Sequence, residues 1–169
     1  DYIQKFALFE GRVLVNDPEI LFLDEPTTGL DPQARHLIWE RLKQLLKRGK
    51  TILITTHFMD EAERLCDRLA IVDHGRLIAQ APPAELIARE IEPQVIEIEQ
   101  DAASGWAQRA RETPGCTRVE EVGETVFAYC RDPRELAAAL DADPSRRWLQ
   151  RRANLEDVFL KLTGRDLRD

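Results

Sequence analysis

Apolar and polar residues follow two different periods along this chain, and the places where the period changes mark out its elements. Ile20-Leu21-Phe22-Leu23 is an unbroken apolar run. It is too short for a helix and is closed by Pro26, so it predicts a strand buried on both faces of a parallel sheet. Asp31 followed by Pro32 is an N-cap acid with proline at the first helical position. The helix it starts is predicted to run to about Arg48 and to stop at Gly49. Ala34, Ile38, Leu42, Leu45 and Leu46 fall on one face of that helix, with charges opposite. Thr51 to Thr55 reads as a second buried strand, and the helix between the two strands makes a right-handed βαβ unit. A short helix over 60–65 follows, then a strand over 68–73, a two-residue turn at His74-Gly75 and an antiparallel return over 76–81. Pro82-Pro83 starts a helix over 84–90.

After Glu92-Pro93 the pattern changes character. Strands are predicted over 95–99, 117–122, 125–130 and 147–150, with helices over 102–112 and 133–140. The order β-α-β-β-α-β is that of a ferredoxin-like small domain. A last helix over 155–162, with Asn154 as N-cap and Gly164 as stop, docks through Leu155, Phe159 and Leu162. The expected domains are therefore 1–92 and 93–169.

Composition narrows the functional classes. The 169 residues are 43% hydrophobic and 33% charged, the balance of a folded globular protein. Apolar runs of four or five residues are too short to cross a bilayer. A net charge of -7 argues against a nucleic-acid-binding surface, which needs clustered Lys and Arg. Lys43, Lys47, Arg48 and Lys50 do cluster, but at a predicted helix C-terminus, where cations offset the helix dipole. Cys66, Cys116 and Cys130 are odd in number and widely spaced, and they fit neither a zinc site nor a disulfide framework, so free, half-buried thiols are expected. The chain begins with Asp rather than Met, which predicts a fragment of a longer protein.

The candidate chemistry lies at the end of the first strand. Asp24 and Glu25 sit at its carboxyl end, where ligands bind in open α/β sheets because helix N-termini point into the crevice. A hard cation such as Mg2+ can be held there by one carboxylate together with water and substrate phosphates. The neighbouring acid is then free to orient or deprotonate an attacking water. His57 ends the second strand on the same edge.

Leu-Asp-Glu-Pro-Thr-Thr-Gly-Leu-Asp-Pro over 23–32, Thr-Thr-His-Phe-Met-Asp-Glu-Ala-Glu over 55–63 and Asn-Leu-Glu-Asp-Val-Phe-Leu-Lys-Leu-Thr-Gly over 154–164 form a joint pattern. It resembles the nucleotide-binding subunit of ABC transporters of the ABC-2 branch, in particular ATPases of drug and lipo-oligosaccharide (nodulation-factor) exporters. The resemblance implies an α/β fold: the C-terminal part of a P-loop NTPase (RecA-like) ABC core with a parallel sheet, followed by a small α+β ferredoxin-like accessory domain. By that resemblance Asp24 holds Mg2+ through water and Glu25 is the general base. His57 is the switch histidine that contacts the γ-phosphate of ATP, and Asp31 belongs to the loop that communicates across a head-to-tail dimer of two such subunits. The implied partners are that second subunit and an ABC-2 membrane permease, on the cytoplasmic face of the cell membrane.

The phosphate-binding pattern Gly-x-x-x-x-Gly-Lys-Ser/Thr does not occur in this sequence, and in the family it lies upstream. The family's glycine signature would fall on Asp1 to Gln4, where only Gln4 matches. The chain alone is therefore expected to be inactive as an ATPase, even where the intact protein hydrolyses ATP. The alternative class is a non-catalytic remnant acting as a binding or regulatory module. A soluble ABC ATPase of DNA repair or translation fits least, given the acidic charge and the exporter-like motifs.

Overall fold

A computed structural model describes residues 17–99 and 105–164. The expected glycine signature on residues 1–4 lies outside them. The chain divides into two compact units at Asp67/Arg68.

In the first unit β1 (Ile20–Asp24) and β2 (Thr51–Thr55) pair in parallel, with Ile20 opposite Thr51 and Asp24 opposite Thr55. Between them runs α1 (Pro32–Lys47), and α2 (Met59–Leu65) follows β2. The Asp31 carboxylate caps α1 by accepting the Ala34 N–H at 2.8 Å, and Pro32 takes the position where a missing N–H costs nothing. Ala34, Ile38 and Leu42, four residues apart, are buried as the spacing predicts. Leu45 and Leu46 are only half-buried, and Trp39, which the pattern does not single out, is buried instead. Its indole Nε1–H donates to Glu61 Oε1 at 2.9 Å, tying α1 to α2 through a fully buried carboxylate.

The expectation that β1 is buried on both faces is not met. Leu21 is buried, but Ile20 is 55% and Phe22 75% exposed, and Leu53 of β2 is 57% exposed. The parallel register explains the pattern. Leu21 and Leu23 share one face with Ile52 and Ile54, while Ile20, Phe22 and Leu53 share the other, and the described residues of this unit cover only the first.

The second unit opens with the hairpin β3 (Leu69–Asp73) and β4 (Arg76–Ala81), joined at His74-Gly75, whose φ values of 46° and 72° are those of a turn with two left-handed residues. Then come α3 (Pro83–Glu90), β5 (Gln94–Glu99), α4 (Trp106–Glu112), β6 (Cys116–Val122), β7 (Thr125–Cys130), α5 (Arg134–Asp141), β8 (Trp148–Arg152) and α6 (Leu155–Thr163). The last four strands form one antiparallel sheet in the order β6-β7-β5-β8. On one face Ile96, Ile98, Val126, Ala128 and Cys130 pack with Trp106, Ala107 and Ala110 of α4 and Leu136 and Leu140 of α5. On the other, Tyr129 and Arg151 reach Asp157 of α6.

Helix α6 has the capping box its sequence predicts: Asn154 Oδ1 accepts the Asp157 N–H at 3.1 Å, and an Asp157 carboxylate oxygen accepts the Asn154 N–H at 2.9 Å. Its docking stripe differs from the expected one. Leu155 and Val158 are buried, whereas Phe159 and Leu162 are half-buried. Buried Asp157 pairs with Arg151, and this rotates the helix so that the position between the expected anchors points inward.

A second correction concerns the cysteines. Cys116 and Cys130 form a disulfide, and only Cys66 is free. They are cross-strand neighbours in β6 and β7.

Candidate functional site

The carboxyl ends of β1 and β2 bring Asp24, Glu25 and His57 together. The register sets Asp24 opposite Thr55, and the Thr55 hydroxyl donates to Asp24 Oδ1. The Glu25 N–H continues the ladder past the end of β1, donating to the Thr55 carbonyl at 2.9 Å. Glu25 adopts φ 43°, a left-handed conformation that costs a non-glycine residue about 1–3 kcal/mol and recurs where a side chain must be aimed. Two turns follow. Thr28 N–H donates to the Glu25 carbonyl and Leu30 N–H to the Thr27 carbonyl, each at 3.2 Å, and Gly29 supplies the positive φ the second turn requires.

This folding aims the Glu25 side chain between two partners. Its Oε1 lies 3.1 Å from His57 Nδ1, and its Oε2 accepts the Thr28 hydroxyl at 3.0 Å. His57 is itself positioned from behind. Its ring stacks on Phe58 at a centroid distance of 4.2 Å, and the Arg35 guanidinium sits 4.1 Å over the far partner, the Phe58 ring. The Thr56 hydroxyl accepts the Phe58 N–H at 3.0 Å, which fixes the step from β2 into α2.

Asp24, Glu25 and His57 are all solvent-accessible, as groups that meet a diffusing ligand must be. Asp31 stands apart from them in role: its carboxylate caps α1. Residues that the sequence did not flag complete the cluster. Thr55 and Thr28 hold the two acids, and Phe58 with Arg35 backs the histidine. The pairing of Thr55 with Asp24 needs the strand register, which no local pattern supplies.

No group of three or more His, Cys, Asp or Glu among the described residues could hold a metal ion. The donors that are present, chiefly the Asp24 carboxylate, suit a hard cation that keeps most of its ligands as water or substrate oxygens, as Mg2+ does. They do not suit zinc, which takes a closed set of nitrogen and sulfur ligands. No helix among the described residues is long and apolar enough to cross a membrane.

Residues 104–164 match the family model described as the C-terminal domain of the nodulation factor export protein NodI. Over an aligned stretch of 165 residues the chain is 58% identical to the Nod factor export ATP-binding protein I of Ralstonia nicotianae, covering 94% of this chain and 51% of that protein. The counterpart from Rhizobium meliloti is 57% identical over 98% of this chain and 49% of its own length. This chain is similar to the Nod factor export ATP-binding proteins. It spans about half the length of these relatives. Residues 6–58 also match an AAA domain described as a putative AbiEii toxin of a type IV toxin–antitoxin system. Among solved structures, an ATP-binding subunit of an ABC transporter is 36% identical with a TM-score of 0.40, over 43% of this chain and 30% of that one. The cbiO1 protein of Clostridium perfringens, part of the ABC transporter complex cbiONQ, is 39% identical with a TM-score of 0.39, over 43% and 30%.

Proposed function

We propose that this chain is the C-terminal part of an ATP-hydrolysing subunit that powers export through an ABC-2 type membrane permease, with a lipo-oligosaccharide of the Nod-factor kind as the exported class. The observation that carries the reading is the Glu25 carboxylate held between His57 and Thr28, one residue from Asp24, at the carboxyl edge of a parallel strand pair. The names of relatives whose matched stretch covers 94–98% of this chain support it. A non-catalytic remnant is not favoured, because those relatives are named as ATP-binding proteins.

In this reading Glu25 is the general base. It accepts a proton from the water that attacks the γ-phosphate, and a carboxylate already oriented by two hydrogen bonds needs little reorganisation to do so. Its left-handed backbone aims it off the strand axis toward that water. His57 contacts the γ-phosphate from the β2 edge, backed by Phe58. Asp24 would hold Mg2+, which when bound would supply positive charge opposite the phosphates. Asp31 caps α1 and thereby fixes the loop from Pro26 to Leu30 that faces a second subunit in a head-to-tail dimer.

The boundary near residue 92 separates this ATPase part from a ferredoxin-like accessory domain; the strand order β6-β7-β5-β8 with two helices on one face supports that reading. The subunit works on the cytoplasmic face of the membrane. The chain alone lacks the phosphate-binding loop and its lysine, and its two acids repel a triphosphate, so it is inactive by itself.

The test is Glu25→Gln in the full-length protein, with the isolated chain as a background control. Nucleotide affinity should hold while turnover falls by about 10²–10⁴-fold, the usual worth of a general base. Asp24→Asn should instead weaken Mg2+-dependent nucleotide binding. Equal losses of affinity in both variants, with the rate at saturation unchanged, would overturn the division of roles.

A further inference from the structure

We propose that Cys116 and Cys130 are a reversible dithiol–disulfide pair that fastens the open end of the β6–β7 hairpin in response to low-molecular-weight disulfides such as oxidised glutathione. The two residues are 14 apart in sequence, with their Cα atoms 4.0 Å apart and their sulfurs bonded. Their juxtaposition does not depend on that bond. The Arg131 N–H donates to the Gly115 carbonyl at 2.8 Å and the Cys116 N–H to the Thr113 carbonyl at 3.2 Å. At Gly115 (φ 90°) the backbones approach so closely that a Cβ would lie 2.5 Å from the Asp132 carbonyl oxygen. Strand pairing and this glycine clasp keep the thiols side by side in the reduced protein too. Oxidation then joins two groups already held together, and the effective concentration of one at the other is high.

The two sulfurs differ in access. Cys130 is fully buried among Leu136, Leu140 and the other residues of the sheet-and-helix core, whereas Cys116 is half-buried at its edge. Exchange therefore starts at Cys116. Its thiolate attacks one sulfur of the small disulfide, forming a mixed disulfide and expelling one thiolate. The Cys130 thiolate then attacks the Cys116 sulfur and expels the second. The two protein thiols lose two electrons and two protons, and the small disulfide becomes two thiols. Cys66 is a control within the same chain. It has no cysteine partner, and burial first, then Glu61 and Asp67, push its thiol up, which leaves it a poor nucleophile. The bond joins the start of β6 to the end of β7, so it stiffens the second unit and leaves the β1–β2 acids untouched.

The test equilibrates this chain in glutathione buffers of graded oxidised-to-reduced ratio, quenches with acid and alkylates under denaturing conditions for intact-mass measurement. Three adducts should fall to one as the ratio rises, without cross-linking of chains, and excess reduced glutathione should restore three. In Cys66→Ser the count should run from two to none. Reduction should lower the melting temperature of the second unit by about 12–24 °C, as expected for removing a link that closes a loop of this length. Cys116→Ser should melt identically in both buffers. Three adducts at every ratio, one adduct that persists in reduced glutathione, or a link between chains would each overturn the proposal.

Discussion

Asp157 ties α6 to β7 and β8 through Tyr129 and Arg151, and replacing it with Ala isolates what a buried ion pair is worth here. Its carboxylate is 3% exposed and takes the Arg151 guanidinium at 2.7 and 2.9 Å. It also accepts the Asn154 N–H at 2.9 Å and the Tyr129 hydroxyl at 3.3 Å. The Asp157 hydrogen bonds, opposed by burial and reinforced by Glu97, hold the Arg151 guanidinium above its ordinary range. Burial first, then the Asp157 charge, likewise push the Tyr129 phenol above its ordinary range.

Removing one member of a buried pair costs about 3–5 kcal/mol, because the other is left uncompensated. Arg151 keeps Glu97 at 2.5 Å and its side chain is 26% exposed, so the low end, about 3 kcal/mol, applies. Losing the reciprocal acceptor of the capping box adds up to about 1 kcal/mol. The expected total of about 3–4 kcal/mol is a large part of a domain's usual 5–15 kcal/mol. Urea unfolding followed by hydrogen exchange of peptides from β5, β7 and α6 reads this unit alone. With a slope of about 1–3 kcal/mol per molar, the midpoint should fall by about 1–4 M. The Asp157→Asn variant, which keeps an acceptor for the Asn154 N–H, should lose less. A loss below about 1 kcal/mol would refute the reasoning, as would an equal Asp157→Ala loss in an Arg151→Met background, since the cycle would then show no coupling.

Two other outcomes follow from the same unit. Val158→Ala should cost more than Phe159→Ala, even though Phe loses the larger side chain, because Val158 is fully buried and Phe159 only half; unfolding midpoints in the reverse order would show that the ring is the true anchor. Burial alone would raise the Glu92 carboxyl, but the Thr117 hydroxyl, its own backbone N–H and the Lys161 and Arg118 charges outweigh it and hold it below its ordinary 4.5. A depressed carboxyl contributes stability that is complete above the unfolded value and is lost as pH falls through the folded one. Melting temperatures measured downward from pH 5 should fall less steeply in Thr117→Val than in the parent, and parallel curves would refute the linkage.

What could be read from the sequence is what depends on short segments. Asp24, Glu25 and His57 come together because each ends a strand of one βαβ unit, and the strands, the N-cap at Asp31 and the capping box at Asn154 all have local signals. The residues that hold the site are set by geometry between segments. Thr55 reaches Asp24 through the parallel register, and Thr28 reaches Glu25 through a turn that depends on a left-handed glutamate. The cysteine pair illustrates the same limit most sharply. Counting back from the Val122–Thr125 pair along a regular hairpin would place Thr117 opposite Cys130. The register shifts by one residue between Cys116 and Arg118, and that irregularity alone brings Cys116 into the opposing position.

Strands β1 and β5 show why an apolar run does not by itself decide burial. β1 has four consecutive apolar residues, yet among the described residues it has one strand neighbour and leaves Ile20 and Phe22 exposed. β5 interrupts its apolar residues with Glu97, yet Val95, Ile96 and Ile98 are each fully buried. The difference is position. β5 lies between β7 and β8, with α4 and α5 against the face of Ile96 and Ile98, while Tyr129 and Arg151, which flank Val95 in register, reach Asp157 of α6. Glu97 is tolerated inside this arrangement because Arg151 meets its carboxylate, so a polar position in a central strand is accommodated by charge pairing. Composition states what a strand can bury; the layers on each face decide what it does bury.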